Sequence, residues 1–336
     1  MSGSTLPTGS SVECRAPDRP DVPAILDLWK SRYRRAANGK LPLPEDWLLA
    51  PAQLTGFLEQ HVGNGAGLVA ERDGVIVGYM FYDQFEFHAE LSSFVPIVAH
   101  GAANDRRLSV YAALYRTLSA ELVRRGSLNH LMTFYADDTE LREFLFTLGF
   151  GGYAVDAYVN TADAAKAISS RTEKPADEMT IRAATTRDLD LLYPLIRESD
   201  SYYAEPPLFL KREGSPQDEV ADLLASRDGV VYLALADGSA VGFMNIRRSD
   251  EVDPITLVDT STALIDPLGA YIVPELRGHG LGRALLAECF EWAQQEGLPR
   301  IHVDFESANP CAYRFWPLYF TPTLLSLKRS INADAS

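Results

Sequence analysis

The stretch from Val273 to Leu286, Val-Pro-Glu-Leu-Arg-Gly-His-Gly-Leu-Gly-Arg-Ala-Leu-Leu, constrains this chain more than any other. An apolar run, Ala270-Tyr271-Ile272-Val273, enters it at Pro274, and Gly278, Gly280 and Gly282 follow. Leu285, Leu286, Cys289, Phe290 and Ala293 then recur at helical spacing. The pattern predicts a strand, a glycine-rich turn and an amphipathic helix. Such a turn lets successive backbone N–H groups point into one concavity. The helix behind it adds unpaired N-terminal donors and a positive dipole end, which together suit a pyrophosphate. Two common phosphate fingerprints do not fit. A Gly-Lys-Ser/Thr run is absent, and the glycines are spaced Gly-x-Gly-x-Gly rather than Gly-x-Gly-x-x-Gly.

Arg277-Gly278-His279-Gly280-Leu281-Gly282 instead resembles the Arg/Gln-x-x-Gly-x-Gly/Ala signature of the GNAT superfamily of acyl-CoA N-acyltransferases. The context agrees. A strand is predicted at Ile301 to Phe305, and Asn309, Ala312, Phe315 and Trp316 resemble the family's second motif, Asn-x-x-Ala-x-x-Leu/Phe-Tyr. The resemblance implies acetyl-CoA as co-substrate, bound through Arg277, Gly278, His279, Gly280, Leu281, Gly282 and Arg283. It implies a coenzyme or backbone-anchoring contact at Asn309 and packing of Trp316 against the pantetheine arm. It also implies that a backbone N–H of Tyr271, Ile272 or Val273 polarises the acyl carbonyl, as a preformed donor does for an oxyanion. No metal is implied. The sequence departs from the family twice. The tyrosine that often serves as general acid falls on Trp316, with Tyr313 and Tyr319 as nearby substitutes. The glutamate slot in the strand before the loop is Gly269, with Asp266 three residues earlier.

Taken in order, the chain shows one layout twice. Helices are predicted near Asp21 to Ala36 and Pro51 to Gln60. A hairpin follows at Gly67 to Ala70 and Val75 to Tyr82, then a strand at Phe94 to Ala99 and a helix at Arg107 to Arg125. A strand at Leu131 to Tyr135, a short helix with Leu141, Phe144 and Leu145, and a strand at Tyr153 to Val159 close the first copy. The second copy begins at Thr180 to Ala183, with a capped helix through Ile196. A hairpin of Val230 to Ala236 and Ala240 to Ile246 leads to the loop described above, and the last strand spans Leu324 to Lys328. The fold class expected is α/β (α+β mixed sheet), as two tandem GNAT-like domains. Each is a central mixed β-sheet flanked by helices. The boundaries expected are a disordered tail at 1–11, a degenerate GNAT-like domain at 12–160, a linker at 161–178 and the acetyltransferase domain at 179–333. At the loop position the first copy reads His100-Gly101-Ala102-Ala103-Asn104-Asp105-Arg106-Arg107. It has a single glycine and an aspartate that repels phosphate, so the first domain reads as scaffold.

The predicted strand Ile301-His302-Val303-Asp304-Phe305-Glu306 carries the acceptor chemistry. Its period of two puts His302, Asp304 and Glu306 on one face, where an inner strand is normally apolar. A buried carboxylate is costly unless paired or used. An attacking amine must first lose a proton, and a carboxylate can take it. Asp304, Glu306 and Tyr313 are therefore the candidate catalytic residues, the first two for binding the amine and relaying its proton. Asp200-Ser201-Tyr202-Tyr203-Ala204-Glu205 combines aromatic and acidic groups suited to a cation. Asp250 to Asp266 reads as an acidic insertion.

The formal charge of −15 splits into about −4 through Lys174 and about −11 beyond it. An acidic surface repels nucleic acid and anionic lipid and draws in cations. The expected partner is a small, cationic or polar amine, with neither nucleic acid nor membrane. No apolar run is long enough for a bilayer, no signal peptide is apparent, and three scattered cysteines fit a reducing cytoplasm. An acyl-CoA-binding sensor without turnover, and transfer from a different acyl donor, are the alternative readings. The oligomeric state is not legible.

Overall fold

The structure, a computed structural model, describes residues 11–39, 41–44, 46–49, 52–87, 90–169, 179–332 and 334. The expected tail at 1–11 lies outside them but for Ser11, as do Pro51 and residues 170–178 of the expected linker. The first half of the chain runs β1 (Glu13–Arg15), α1 (Val22–Asn38), α2 (Asp46–Leu49), α3 (Ala52–Asn64), β2 (Gly67–Arg72), β3 (Val75–Phe81) and β4 (Asp83–Phe87). It continues with β5 (Glu90–Val95), β6 (His100–Ala102), α4 (Arg107–Arg124), β7 (Asn129–Tyr135), α5 (Thr139–Thr147) and β8 (Gly151–Asn160). The second half runs α6 (Thr161–Ser169), β9 (Met179–Ala183), α7 (Leu189–Ala204), α8 (Gln217–Ala225), β10 (Gly229–Ala236) and β11 (Ser239–Arg248). After these come β12 (Thr262–Leu264), β13 (Ala270–Ile272), α9 (Leu281–Gln295), β14 (Arg300–Glu306), α10 (Pro310–Phe315) and β15 (Thr321–Ser330).

Two compact units result, and they do not follow the expected boundaries. Unit 1 joins Met1–Tyr153 with Pro254–Leu257 and Leu324–Ser336, and unit 2 joins Ala154–Asp253 with Val258–Thr323. The last strand of the chain, β15, pairs antiparallel with β7 in unit 1, from Leu324 opposite Tyr135 to Ser330 opposite Asn129. The last strand of the first half, β8, pairs antiparallel with β14 in unit 2, from Asn160 opposite Arg300 to Ala154 opposite Glu306. The final strand of each copy thus completes the sheet of the other. A sheet edge accepts any strand of matching alternation, so sequence order alone does not say which edge a strand will cover.

Unit 1 holds an antiparallel sheet in the order β1-β2-β3-β6 and a second set of strands, β4-β5-β7-β15, in which β5 and β7 are parallel. Helix α1 starts at a proline in its first turn and buries Val22, Ile25, Trp29, Tyr33 and Ala36 on one face. Trp29 stacks on Tyr33 at 4.8 Å, and Tyr33 meets Tyr135 edge-on at 6.4 Å. The predicted strand at Phe94 to Ala99 is displaced. Pro96 ends β5 and Ile97–Ala99 forms a 3-10 turn before β6. Proline lacks the N–H a strand ladder needs.

Unit 2 has the order β8-β14-β12-β11-β10-β9, with β13 paired to β11. Leu192, Leu195 and Ile196 of α7 pack with Val220 of α8, Val231, Leu233, Phe243 and Tyr271 in one cluster. Each such side chain, once buried, contributes about 1.5–3 kcal/mol. The first part of the expected linker is helix α6, packed on α9, with the Thr161 hydroxyl donating to the Leu298 carbonyl at 2.6 Å. The Asp250 to Asp266 segment, expected as an insertion, contains β12, which pairs in parallel with β14. Helix α8 has no counterpart in the sequence reading.

Candidate active site

Strand β11 is long enough to pair with two short strands in succession. Arg247 and Arg248 face Leu264 and Ala263 of β12, while Gly242, Phe243 and Met244 face Ile272, Tyr271 and Ala270 of β13. Between the two, the chain turns at Asp266-Pro267-Leu268-Gly269, with Gly269 at φ +65°. Buried Asn245 pins this turn: its N–H donates to the Gly269 carbonyl at 2.9 Å, and its Oδ1 accepts from Leu268 N–H at 3.3 Å. Of these two short strands, β12 alone pairs with β14, and the last rung is Ile265 N–H to the His302 carbonyl at 3.0 Å. Beyond it β13 and β14 part. The cleft between them has a volume of about 730 Å³ and is walled by Ala270–Ile272 on one side and Val303–Phe305 on the other.

The parting frees main-chain donors. Asn245 N–H bonds to Gly269, and Val273 N–H bonds to the Val241 carbonyl at 3.0 Å, so the odd-numbered residues of β13 turn their polar groups to β11. Ala270 and Ile272 turn theirs the other way, toward the cleft. Of the three N–H groups expected to polarise a carbonyl, those of Tyr271 and Val273 are spent on the sheet and that of Ile272 is not. The Ile272 carbonyl, pointing the same way, accepts from Arg277 Nε at 2.9 Å.

The loop behind β13 combines left-handed glycines with an uncapped helix start. Gly278 and Gly280 sit at φ +81° and +80°, a region that favours glycine. Gly280 is the N-cap of α9, with no side-chain cap and no acidic residue in the first turn. The first intrahelical bond, Ala284 N–H to the Gly280 carbonyl at 3.0 Å, leaves the earlier donors of the helix to other partners. Gly282 sits tightly: a Cβ there would lie 3.2 Å from the Phe315 ring and 3.3 Å from the Ile272 side chain. His279 is exposed, and Gly280, Gly282 and Arg283 line the cleft. The Arg277 side chain folds back across β13. Its guanidinium stands 4.9 Å from the Tyr202 ring and 5.4 Å from the Tyr271 ring, and it reaches the Cys311 sulfur at 3.7 Å.

At the β14 end, Asp304 lines the cleft. Its carboxylate is open to water within the cleft yet ringed by protein. That burial, with the like charges of Asp156, Asp266 and Glu306 and against the opposing His302, pushes it up to about 6. Asp156 of β8 is directly opposite Asp304 in register, so the two side chains share a face. Asp156 Oδ1 also meets His302 Nε2 at 3.0 Å. Burial lowers the His302 pKa, but Asp156 more than offsets this and the imidazole is raised overall. Asp266 is held by Arg247 at 2.8 Å. Asp156 was missed in the sequence because it lies in the first copy, and no local signal joins it to β14.

Two of the expected catalytic residues, Glu306 and Tyr313, have other surroundings, while Asn309 lines the cleft and makes a backbone-anchoring contact. Glu306 is paired with Arg212 at 3.0 Å, so it is not a free base. Asn309 caps α10, its Oδ1 accepting from Cys311 and Ala312 N–H at 3.1 and 3.2 Å and from the Tyr202 hydroxyl at 3.3 Å. Tyr313 is 57 % exposed, packs edge-on against Phe305 and is not among the residues lining the cleft. Trp316 and Tyr319 are buried and do line the cleft. Tyr202 and Tyr203, expected in a loop, belong to the last turn of α7 and line it as well.

The same parting exists in unit 1, where β6 pairs with β3 and β5 with β7. There it is filled. His100 spans it, bonding to the Tyr111 hydroxyl at 2.9 Å and the Thr133 carbonyl of β7 at 2.7 Å, among buried Tyr79, Tyr111 and Tyr135. Arg107, at the start of α4, is held by Asp138 at 2.6 and 2.7 Å and by Glu140 at 2.9 Å.

A central strand that splits, a cleft at the split and a glycine loop opening a helix there are features of a GNAT-like fold. The family model described as Acetyltransferase (GNAT) family matches residues 193–318. The chain is similar to the aminoglycoside N(6')-acetyltransferase type 1 of Stenotrophomonas maltophilia, at 37% identity over 92 residues, 26% of this chain and 57% of that protein. It therefore spans little more than half the length of that relative. The fold is similar to a GCN5-related N-acetyltransferase from Sphaerobacter thermophilus, with a TM-score of 0.55, 15% identity and 98% of each chain covered. It is also similar to the GCN5-related glucosamine N-acetyltransferase region of a fungal multi-domain GH3 beta-N-acetylglucosaminidase, with a TM-score of 0.53 and 12% identity. That match covers 96% of this chain and 38% of the other. Among the described residues, no helix is long and apolar enough to cross a membrane, and no group of three His, Cys, Asp or Glu side chains is arranged to hold a metal.

Proposed function

We propose that unit 2 transfers an acetyl group from acetyl-CoA to the amine of a small cationic molecule, with Asp304 as the group that receives the proton. The observation that carries this reading is the position of Asp304: a carboxylate with pKa about 6, on the wall of the same cleft as the Ile272 N–H. The uncapped start of α9, with Gly278 and Gly280 before it, fits the pyrophosphate of the coenzyme. Narrow apolar walls at Gly282, Phe315 and Trp316 fit its pantetheine arm.

In this reading the substrate nitrogen arrives as an ammonium, drawn by the Asp304 carboxylate on the cleft wall. Asp304 takes one proton from it, leaving a lone pair free to attack. The nitrogen bonds to the thioester carbonyl carbon, and the Ile272 N–H stabilises the charge that develops on its oxygen. The carbon–sulfur bond then breaks and coenzyme A leaves as thiolate, a fair leaving group because a thiol pKa is about 8.5; the second proton on the nitrogen passes to that sulfur or to water, leaving a neutral amide. The Asp304 carboxylate favours an acceptor with a positive charge. The curated relative is named for an aminoglycoside substrate, which is such a cation.

A sensor that binds acyl-CoA without turnover is favoured by one observation, the indole of Trp316 where the family often has an acidic tyrosine. The test is coenzyme A release from acetyl-CoA across a panel of amines that includes an aminoglycoside, a diamine and a monoamine. Turnover on at least one supports the transferase. Tight acetyl-CoA binding with no release on any supports the sensor.

A further inference from the structure

Arg212 sits where a substrate cation would be well received. Its guanidinium carbon stands 3.5 Å from the centre of the Tyr203 ring. Its terminal nitrogen donates to Glu306 Oε1 at 3.0 Å. The other oxygen, Glu306 Oε2, is buried and makes no hydrogen bond of acceptable geometry among the described residues. The Tyr203 hydroxyl beside Glu306 is raised by its burial and by that carboxylate, so it stays neutral and its ring stays a good cation partner. An aromatic face with a carboxylate at its edge is a cation site, and here a residue of the chain itself fills it.

The site adjoins the cleft. Tyr203 and Asp304 both line it, and Asp304 and Glu306 alternate along β14, so their side chains leave the same face roughly 7 Å apart. Arg212 is a removable occupant. It lies in the segment between α7 and α8, outside any helix or strand, and its side chain is 41% exposed. A guanidinium on such a tether competes with any ligand for the face beneath it.

We propose that Glu306 and the Tyr203 ring form a second cation subsite beside Asp304, and that Arg212, by occupying it, sets the preference between singly and doubly charged acceptors. This rests on reading the cleft as an amine-acetylating site. With Arg212 in place, a monoamine meets one open carboxylate, Asp304. A diamine of matching length must displace Arg212 to satisfy its second ammonium.

The test compares putrescine with butylamine, two acceptors alike in length and different in one charge. The ratio of their kcat/KM values should rise at least tenfold in Arg212→Ala over the unmodified protein. Arg212→Lys keeps a charge but not the planar group that stacks on Tyr203, and it should give an intermediate ratio. Glu306→Gln added to Arg212→Ala should abolish the gain. A ratio unchanged in both Arg212 variants overturns the proposal, as does a gain that survives Glu306→Gln. If the unmodified protein acetylates no amine, the transferase reading fails on its own. Calorimetric binding of putrescine and butylamine to the same variants then decides the subsite: tighter putrescine binding in Arg212→Ala supports it, and equal binding overturns it.

Discussion

Asp304 shares one face of β14 with His302 and Glu306 and faces Asp156 across the strand pair, so four ionisable groups compete for one patch of low polarisability. Removing its charge has two consequences of opposite sign. Asp304→Asn should lower kcat by about 10²–10⁴, the range for loss of a positioned base, while the Kd for acetyl-CoA stays within twofold. The kcat/KM of the unmodified protein should fall as pH drops through about 6, the value to which this carboxyl is raised. That limb should be missing from whatever activity Asp304→Asn retains. Stability should move the other way. The folded pKa of about 6 exceeds the unfolded value of about 3.9, so ionising Asp304 opposes folding above pH 6 and does not below pH 4. Asp304→Asn should therefore melt higher than the unmodified protein at pH 7.5, and the difference should shrink as pH falls from 6 to 4. A constant difference over that window would mean that Asp304 is not destabilised by its neighbours. The stripe itself was legible from alternation alone. That Glu306 is neutralised was not, because Arg212 lies 94 residues away in sequence.

At the scale of the element, the loop before α9 combines left-handed backbone at Gly278 and Gly280, which favours glycine, with a tight approach to the Phe315 and Ile272 side chains at Gly282. Gly280→Asp places a carboxylate at the N-cap of a helix whose first turn has no acid. The substitution would cost about 1–2 kcal/mol in the left-handed conformation, which aspartate tolerates better than most residues. The new carboxylate would satisfy the helix donors and repel phosphate. Acetyl-CoA affinity should drop at least a hundredfold with the fold retained by circular dichroism, and unchanged affinity would refute the cradle. The three glycines announce this loop in the sequence. The parting of β13 from β14 is less visible there, because it depends on β12, three residues long and hidden in an acidic stretch, taking the place beside β14. Filling of the equivalent gap in unit 1 by His100, Tyr111 and Tyr135 likewise shows only when the three side chains are brought together.

On the scale of the whole molecule, the exchange of last strands makes each unit depend on residues from both halves of the chain. Deleting Leu324–Ser336 removes β15 from unit 1, with the side-chain bonds Thr133–Ser326 at 2.6 Å and Ser330–Asn129 at 2.9 Å. Strand β7, buried along its whole length, would then present an open edge. The truncated chain should lose amide protection across β5 and β7 in hydrogen exchange and should aggregate. Protection equal to that of the full chain would mean that β15 is dispensable to this sheet.

The spacing of apolar residues, the position of glycines and the alternation of charge are local quantities, written in neighbouring residues. They determined most of the strands and helices, the glycine loop before α9 and the acidic stripe at Asp304. Only tertiary structure decided which sheet each final strand joins and which gap stays open. It also decided which carboxylates remain unpaired, and that Asp156 from the first half stands opposite Asp304. The reason is physical: pairing across a sheet and between charges depends on distance in space. A strand edge or a carboxylate accepts whatever partner the chain's path delivers to it, whatever their separation in sequence.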